Sequence, residues 1–229
     1  VSGEQSALDK MVEQLNQPFE KHFPDSKFNQ ETKEWDKTPA VQVYDNPVFA
    51  FWNIVKPTDL SAYYEEEVFK KQPLEPEDFM TEFVRSMKED QDWYHWNCRN
   101  WGTKWDCSSE EMGFDTDNEN YITINFNSAW SPPVHWLRNV IKLFPNLNFK
   151  LVFMETGNWF AGCAFSEDGE LMVAEGEPEY VLDGVVYNYD TDNRTYIGGD
   201  GNVISEDEWH DNYSCYPENP FDNFDTPWE

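Results

Sequence analysis

Residues 121–174 read YITINFNSAWSPPVHWLRNVIKLFPNLNFKLVFMETGNWFAGCAFSEDGELMVA, and their pattern decides the fold class. Ile122, Ile124 and Phe126 alternate with polar neighbours, which predicts a half-buried strand over 120–127. Ser131-Pro132-Pro133 then opens a helix, with Val134, Leu137, Val140, Ile141 and Phe144 on one face, and Pro145-Asn146 closes it. Apolar runs over 149–155 and 159–166 predict two strands joined at Thr156-Gly157-Asn158. Asp168-Gly169 is a tight-hairpin signal leading into Leu171-Met172-Val173-Ala174, and Asp183-Gly184 is a second one, between 180–182 and 185–187. Strand, helix and then consecutive hairpin-linked strands suit an antiparallel sheet with helices on one face, an α+β fold of ferredoxin-like type.

Working outward, Leu8, Met11, Val12, Leu15 and Phe19 recur at helical spacing, so a helix is expected within 4–22. A polar stretch follows, from Pro24 to Gln42. The run Val48 to Val55 reads as a buried strand, giving a fourth member of the sheet near 48–55, and Lys56-Pro57 stops it. Two further helices are expected, over 59–71 behind an N-cap at Thr58 and over 77–88 between prolines and a polar segment. The expected organisation is an N-terminal helix and linker (1–46), a ferredoxin-like core (47–168) and an acidic, β-rich extension packed on it (169–229).

The chain has 45 Asp and Glu against 16 Lys and Arg, a formal net charge of −29 in 229 residues. Such a field repels phosphate backbones and anionic lipid, so direct nucleic-acid and membrane partners are excluded as expectations. It steers the chain instead toward basic surfaces, the largest of which belong to nucleic-acid-binding proteins. Solvation alone is the competing reading of the same acidity. Aromatic residues make up 17%, including 11 Trp, so a packed core is expected rather than disorder.

The acidity is uneven: 170–229 holds 16 acids and the single base Arg194. Its aromatics must be buried for so repulsive a segment to order, which places Tyr180, Val186, Tyr187 and Ile197 inward. Glu175, Glu177, Glu179, Asp190, Asp192, Glu206, Asp207 and Glu208 are then expected outward, as one negative partner-binding surface.

Trp93-Tyr94-His95-Trp96-Asn97-Cys98-Arg99-Asn100-Trp101-Gly102-Thr103-Lys104-Trp105-Asp106 is the most specific string in the chain. With Asn127-Ser128-Ala129-Trp130-Ser131-Pro132-Pro133 and Phe160-Ala161-Gly162, it resembles the Api92-like, or YubB-type, proteins of phages and mobile elements, over roughly 47–166. Phe51-Trp52-Asn53-Ile54-Val55-Lys56-Pro57 resembles that family's early strand. The resemblance implies a ferredoxin-like fold and a phage or plasmid origin, and it transfers no catalytic residue. Trp96, Trp101, Trp105 and Trp130 are expected to build core beside the sheet; their alternative role is an exposed binding platform.

Cys98, Cys107, Cys163 and Cys215 form no metal or disulfide pattern, and His22, His95, His135 and His210 stand apart at no ligand spacing. Asp115-x-Asp117-x-Glu119 and Asp190-x-Asp192 lack the Gly and Glu of a calcium loop. No nucleophile elbow or phosphate-binding loop is present, and no cofactor or catalytic residue is expected. The function read from these features is that of a phage or mobile-element protein, working in the host cytoplasm, that occupies a basic nucleic-acid-binding surface of a host or defence protein. A virion assembly protein and an enzyme of phage metabolism are the alternatives.

Overall fold

The computed structural model describes residues 1–45, 49–58, 93–107, 113–115, 120–213 and 216–227; side chains of 21–26, 35–40 and 113–115 are outside the description. The helices expected over 59–71 and 77–88 lie outside the described residues. The chain divides into two compact units, Val1–Leu147 and Asn148–Glu229.

In the first unit, β1 (Ser2–Gly3) precedes α1 (Gln5–Leu15), whose Leu8, Met11 and Leu15 are buried. The helix stops before Phe19, because Pro18 bars a helical continuation and biases its predecessor toward extended backbone. Phe19 instead opens β2 (Phe19–Phe28), paired antiparallel with β3 (Trp35–Tyr44) from Phe19↔Tyr44 to Phe28↔Trp35. The stretch read as polar, Pro24 to Gln42, is therefore the greater part of a hairpin. Asn29 organises its turn: its side-chain oxygen accepts from the N–H groups of Glu31 and Thr32.

The strand expected near 48–55 is corrected. Phe51–Asn53 is a single 3-10 turn, and Phe51 and Trp52 are buried in it. Asp106 explains the difference, since its carboxylate accepts from Phe51 N–H at 2.7 Å and Trp52 N–H at 3.1 Å. A side chain thus satisfies backbone donors that a sheet neighbour would otherwise have to meet.

Helix α2 (Trp93–Asn100) leads into the loop 101–107, and β4 (Gly113–Asp115) pairs with the short β5 (Thr123–Asn125). Helix α3 (Val134–Leu143) buries Trp136, Leu137, Val140 and Ile141, as its periodicity requires. The unit's aromatic core surrounds Phe51, which is edge-to-face with Trp101 at 5.9 Å and Phe49 at 5.7 Å and tilted against Trp136 at 4.8 Å.

After β6 (Leu147–Asn148), the second unit is two antiparallel sheets. β7 (Lys150–Glu155), β8 (Phe160–Glu167) and β9 (Glu170–Gly176) form the first. Asp168 and Gly169 turn β8 into β9 with φ of 50° and 79°, as a two-residue hairpin of that sequence requires. The β8–β9 hairpin spans the boundary read at 168/169. Every residue of 161–166 is buried, so both faces of β8 are covered. The C-terminal segment supplies cover on the odd-numbered face: Phe224 lies 5.5 Å from Phe165, and the Asn219 amide donates to Phe153 O.

The second sheet runs β10 (Tyr180–Leu182), β11 (Val185–Asp190), β12 (Thr195–Gly198) and β13 (Val203–Ser205). Helix α4 (Glu206–Asn212) follows directly. Asp183 and Gly184 make the β10–β11 turn with φ of 50° and 78°. Among the described residues, no helix is long and apolar enough to cross a membrane.

Candidate protein-interaction surface

Ser205 starts α4 by accepting a hydrogen bond from Glu208 N–H at 3.3 Å, and Glu206, Asp207 and Glu208 fill the first turn. Carboxylates are favoured there by the exposed N–H groups of a helix start. Three residues after the first of them, Trp209 points inward. It is 1% exposed and stacks on Tyr196 at 4.3 Å, with Tyr187 at 5.1 Å and Ile204 completing the cluster. One short helix therefore carries the core of the second sheet on one side and the exposed acids Asp207 and Glu208 on the other.

The inward set differs from the one expected. Tyr187 is buried and Tyr180 packs against the cluster, but Val186 and Ile197 are each 39% exposed. Register gives the reason: Val186 lies opposite Val181 and Ile197 opposite Asn188, one residue out of phase with the Tyr180↔Tyr187 pair that faces Trp209. A one-residue offset puts a side chain on the other face of a strand. Tyr196, Ile204 and Trp209 were the core residues missed, although Tyr196 and Ile204 stand at alternating positions beside the Ser205 cap.

Among the expected outward acids, Glu175, Glu177, Asp192, Asp207 and Glu208 are exposed. The other three have internal roles. Glu179 is half-buried and exchanges backbone hydrogen bonds with Glu218. Asp190 closes the β11–β12 turn, accepting from the N–H groups of Asp192 and Asn193 and from the Asn193 amide; these bonds, the Asn193 amide first, hold its carboxyl below the usual range.

Glu206 accepts from the Tyr189 hydroxyl at 2.9 Å and pairs with Arg194 at 2.5 Å, and its side chain is 21% exposed. Tyr189 and then Arg194 hold its carboxyl below the usual carboxylate range. A group depressed in the folded state contributes stability above its unfolded pKa, and that contribution is lost as pH falls through the folded value. In denaturant unfolding, the parent chain should therefore exceed Glu206→Gln in stability at neutral pH. The gap should close on acidification below about pH 4, the ordinary Glu range. A gap independent of pH would mean that the pair carries no charge-dependent stability.

In the first unit, the Trp-rich string divides. Trp101 is fully buried and its indole N–H donates to Val55 O at 2.8 Å, so this position is core. Trp96 is half-buried with its ring 5.5 Å from Trp101. Trp105 and Trp130 are 47% and 64% exposed, which corrects their expected burial. Loop backbone accounts for it: Thr103 and Ala129 are the buried members, joined by two hydrogen bonds through the Thr103 hydroxyl, and the following side chains turn outward.

Trp101 to Trp105 of this string, the loop before α3 and the β7–β9 sheet fall within a stretch that matches a family model. Residues 100–197 match the ferredoxin-like domain in Api92-like protein. No curated protein and no solved structure matches the chain. The match shares 100–166 with the stretch whose motifs resemble that family, and it continues to 197, through β9 to β11 and most of β12. Part of what reads by charge as an extension thus lies within the matched stretch. Its motif glycine has a packing reason: a Cβ at Gly162 would lie 2.5 Å from the Phe153 ring and 2.6 Å from Ala174 O. In Ser131-Pro132-Pro133, the Ser131 hydroxyl donates to Gly102 O at 2.6 Å, tying the helix start to the tryptophan loop within the matched stretch. No three His, Cys, Asp or Glu side chains gather as a metal-binding group among the described residues.

Proposed function

We propose that this Api92-like protein is an acidic binding protein of a phage or mobile element that occupies a basic, nucleic-acid-facing surface of a host or defence protein. The observation that carries the reading is α4, where Asp207, Glu208 and Asp211 are exposed on a helix whose opposite side is fixed by the buried Trp209. Carboxylates on a fixed backbone present charge to a partner at little ordering cost, as bound phosphates do. Exposed Glu175, Glu177 and Asp192 extend the negative charge of the same unit. A net charge of −29 supplies the long-range attraction that speeds encounter with a basic surface.

The acids to substitute are those without an internal role. Asp207→Asn, Glu208→Gln and Asp211→Asn together should leave folding intact, because exposed charges contribute little to stability. They should weaken capture of the basic partner about tenfold or more and flatten its salt dependence, as expected for charge-assisted association. Unchanged affinity and salt slope would reduce these acids to a solubility device.

A further inference from the structure

The β10–β13 sheet packs the Trp209 cluster against one of its faces. Register assigns the outward positions to the other face, with Val181 opposite Val186, and Ile197 between Asn188 and Val203. Gly199 N–H donates to Val186 O at 3.0 Å, which makes Val186 and Ile197 diagonal neighbours across β11 and β12. Val181, Val186, Ile197 and Val203 thus form one aliphatic row, with one residue from each strand. Val186 and Ile197 are each 39% exposed and Val203 is 57% exposed. The outward face of an antiparallel sheet is ordinarily polar. This one is apolar, in the most acidic quarter of the chain.

The acids stand at the ends of the row. Among the outward positions of the four strands, Asp190 is the one acid, and its carboxylate closes the β11–β12 turn. The turns themselves bear exposed Asp183 between β10 and β11, Asp192 between β11 and β12, and Asp200 between β12 and β13. Asn202 N–H donates to the Asp200 carboxylate at 3.0 Å and fixes it in place. Consecutive hairpin turns fall at alternate ends of their strands, so both ends of the sheet are negative. Arg194, the one base in 170–229, is paired with Glu206 and leaves these charges standing. An apolar centre with a charged rim is the layout of a protein interface.

We propose that this outward face docks a basic protein segment carrying apolar side chains. The apolar side chains cover Val181, Val186, Ile197 and Val203, and Lys or Arg side chains meet Asp183, Asp192 and Asp200. Charge complementarity selects the occupant: 16 acids against one base in 170–229, and −29 over the chain, attract a cationic segment. The same field repels an acidic peptide, a nucleic-acid strand, anionic lipid and a second copy of this chain. The face lies on the opposite side of the sheet from the Trp209 cluster that fixes α4. The inference therefore goes beyond the reading of α4 and stands on the aliphatic row.

The test uses the full chain and a short fluorescein-labelled peptide alternating Lys with Val and Phe. Its counterparts replace Lys by Gln, or Val and Phe by Ser. Anisotropy should show the first peptide binding and both counterparts binding about tenfold more weakly. Val186→Thr with Ile197→Thr, and separately Val203→Thr, keep β-branched residues in the strands, so circular dichroism should match the parent. Affinity for the peptide should fall in each, by about tenfold in the double variant. A photoreactive benzoylphenylalanine at a Phe position of the peptide should cross-link to β10–β13. Asp207→Asn, Glu208→Gln and Asp211→Asn leave the row intact, so the cross-links should stay in place whether or not those acids hold the partner proposed above. Unchanged affinity in the Thr variants, equal binding of the Ser counterpart, cross-links confined to α4 or the first unit, or self-association of the chain that Val203→Thr abolishes would each overturn the proposal.

Discussion

Trp209→Ala is expected to unfold the second sheet under conditions where the parent chain is folded. The indole is 1% exposed and touches Tyr187, Tyr196 and Tyr180 at ring distances of 5.1, 4.3 and 5.9 Å. Its removal leaves a cavity among tyrosines whose hydroxyls hold them in fixed positions, so collapse around it is limited. Large-to-small changes of this kind cost about 3–5 kcal/mol. That is a large share of the roughly 5–15 kcal/mol that stabilises a typical domain. Charge makes the loss worse: 170–229 holds 16 acids and one base, whose repulsion the aromatic burial around Trp209 helps offset. Added salt screens that repulsion, so the variant's thermal midpoint should rise with salt more than the parent's does. Hydrogen exchange across β10–β13 reads the result. Native protection there would show that Trp209 does not organise the sheet.

Trp101→Ala should have a similar effect, about 3–5 kcal/mol, in the first unit. Trp101 is fully buried, lies 5.9 Å from Phe51 and 6.4 Å from Trp52, and donates to Val55 O. Trp101→Phe separates the contributions. It keeps most of the apolar contact but leaves the Val55 carbonyl without its donor, a smaller loss of about 1–3 kcal/mol. Trp130→Ala is the comparison, since its ring is 64% exposed and its removal opens no cavity. Equal destabilisation by Trp101→Ala and Trp130→Ala in denaturant unfolding would contradict the division of the motif into core and surface members.

The sequence told most where local chemistry and pattern agreed. Asp168-Gly169 and Asp183-Gly184 announced their hairpins because few residues accept positive φ at both turn positions. Helix α3 was readable because its apolar spacing, its prolines at the start and Pro145 after its end all agree. The apolar run near 48–55 misled because five consecutive apolar residues, Val48 to Trp52, read alike as a strand and as a buried turn. Asp106, 55 residues away from Phe51, decides between the two. The β2–β3 hairpin escaped notice because Pro24 and Pro39 sit within its strands opposite each other, where prolines argue against a strand.

The surface was harder to read than the fold. Charge alone placed eight acids outward. Glu206 and Asp190 could have been set apart, since Arg194 is the one base among 16 acids and must find a partner, and Asp-x-x-Asn is a turn-closing pattern. Trp105 and Trp130 carried no such sign. The period of a loop does not say which way its side chains face, and the hydroxyl of Thr103 settles it.

The central claim is that this acidic chain holds a basic protein by the surface that protein uses for nucleic acid. The most direct measurement immobilises the full chain, passes host lysate over it at low salt, and elutes first with duplex DNA and then with high salt. The account predicts that a basic nucleic-acid-binding protein is retained, and that duplex DNA releases it at a salt concentration too low to do so alone. Retention of no basic protein, or of one that duplex DNA leaves in place, would contradict it.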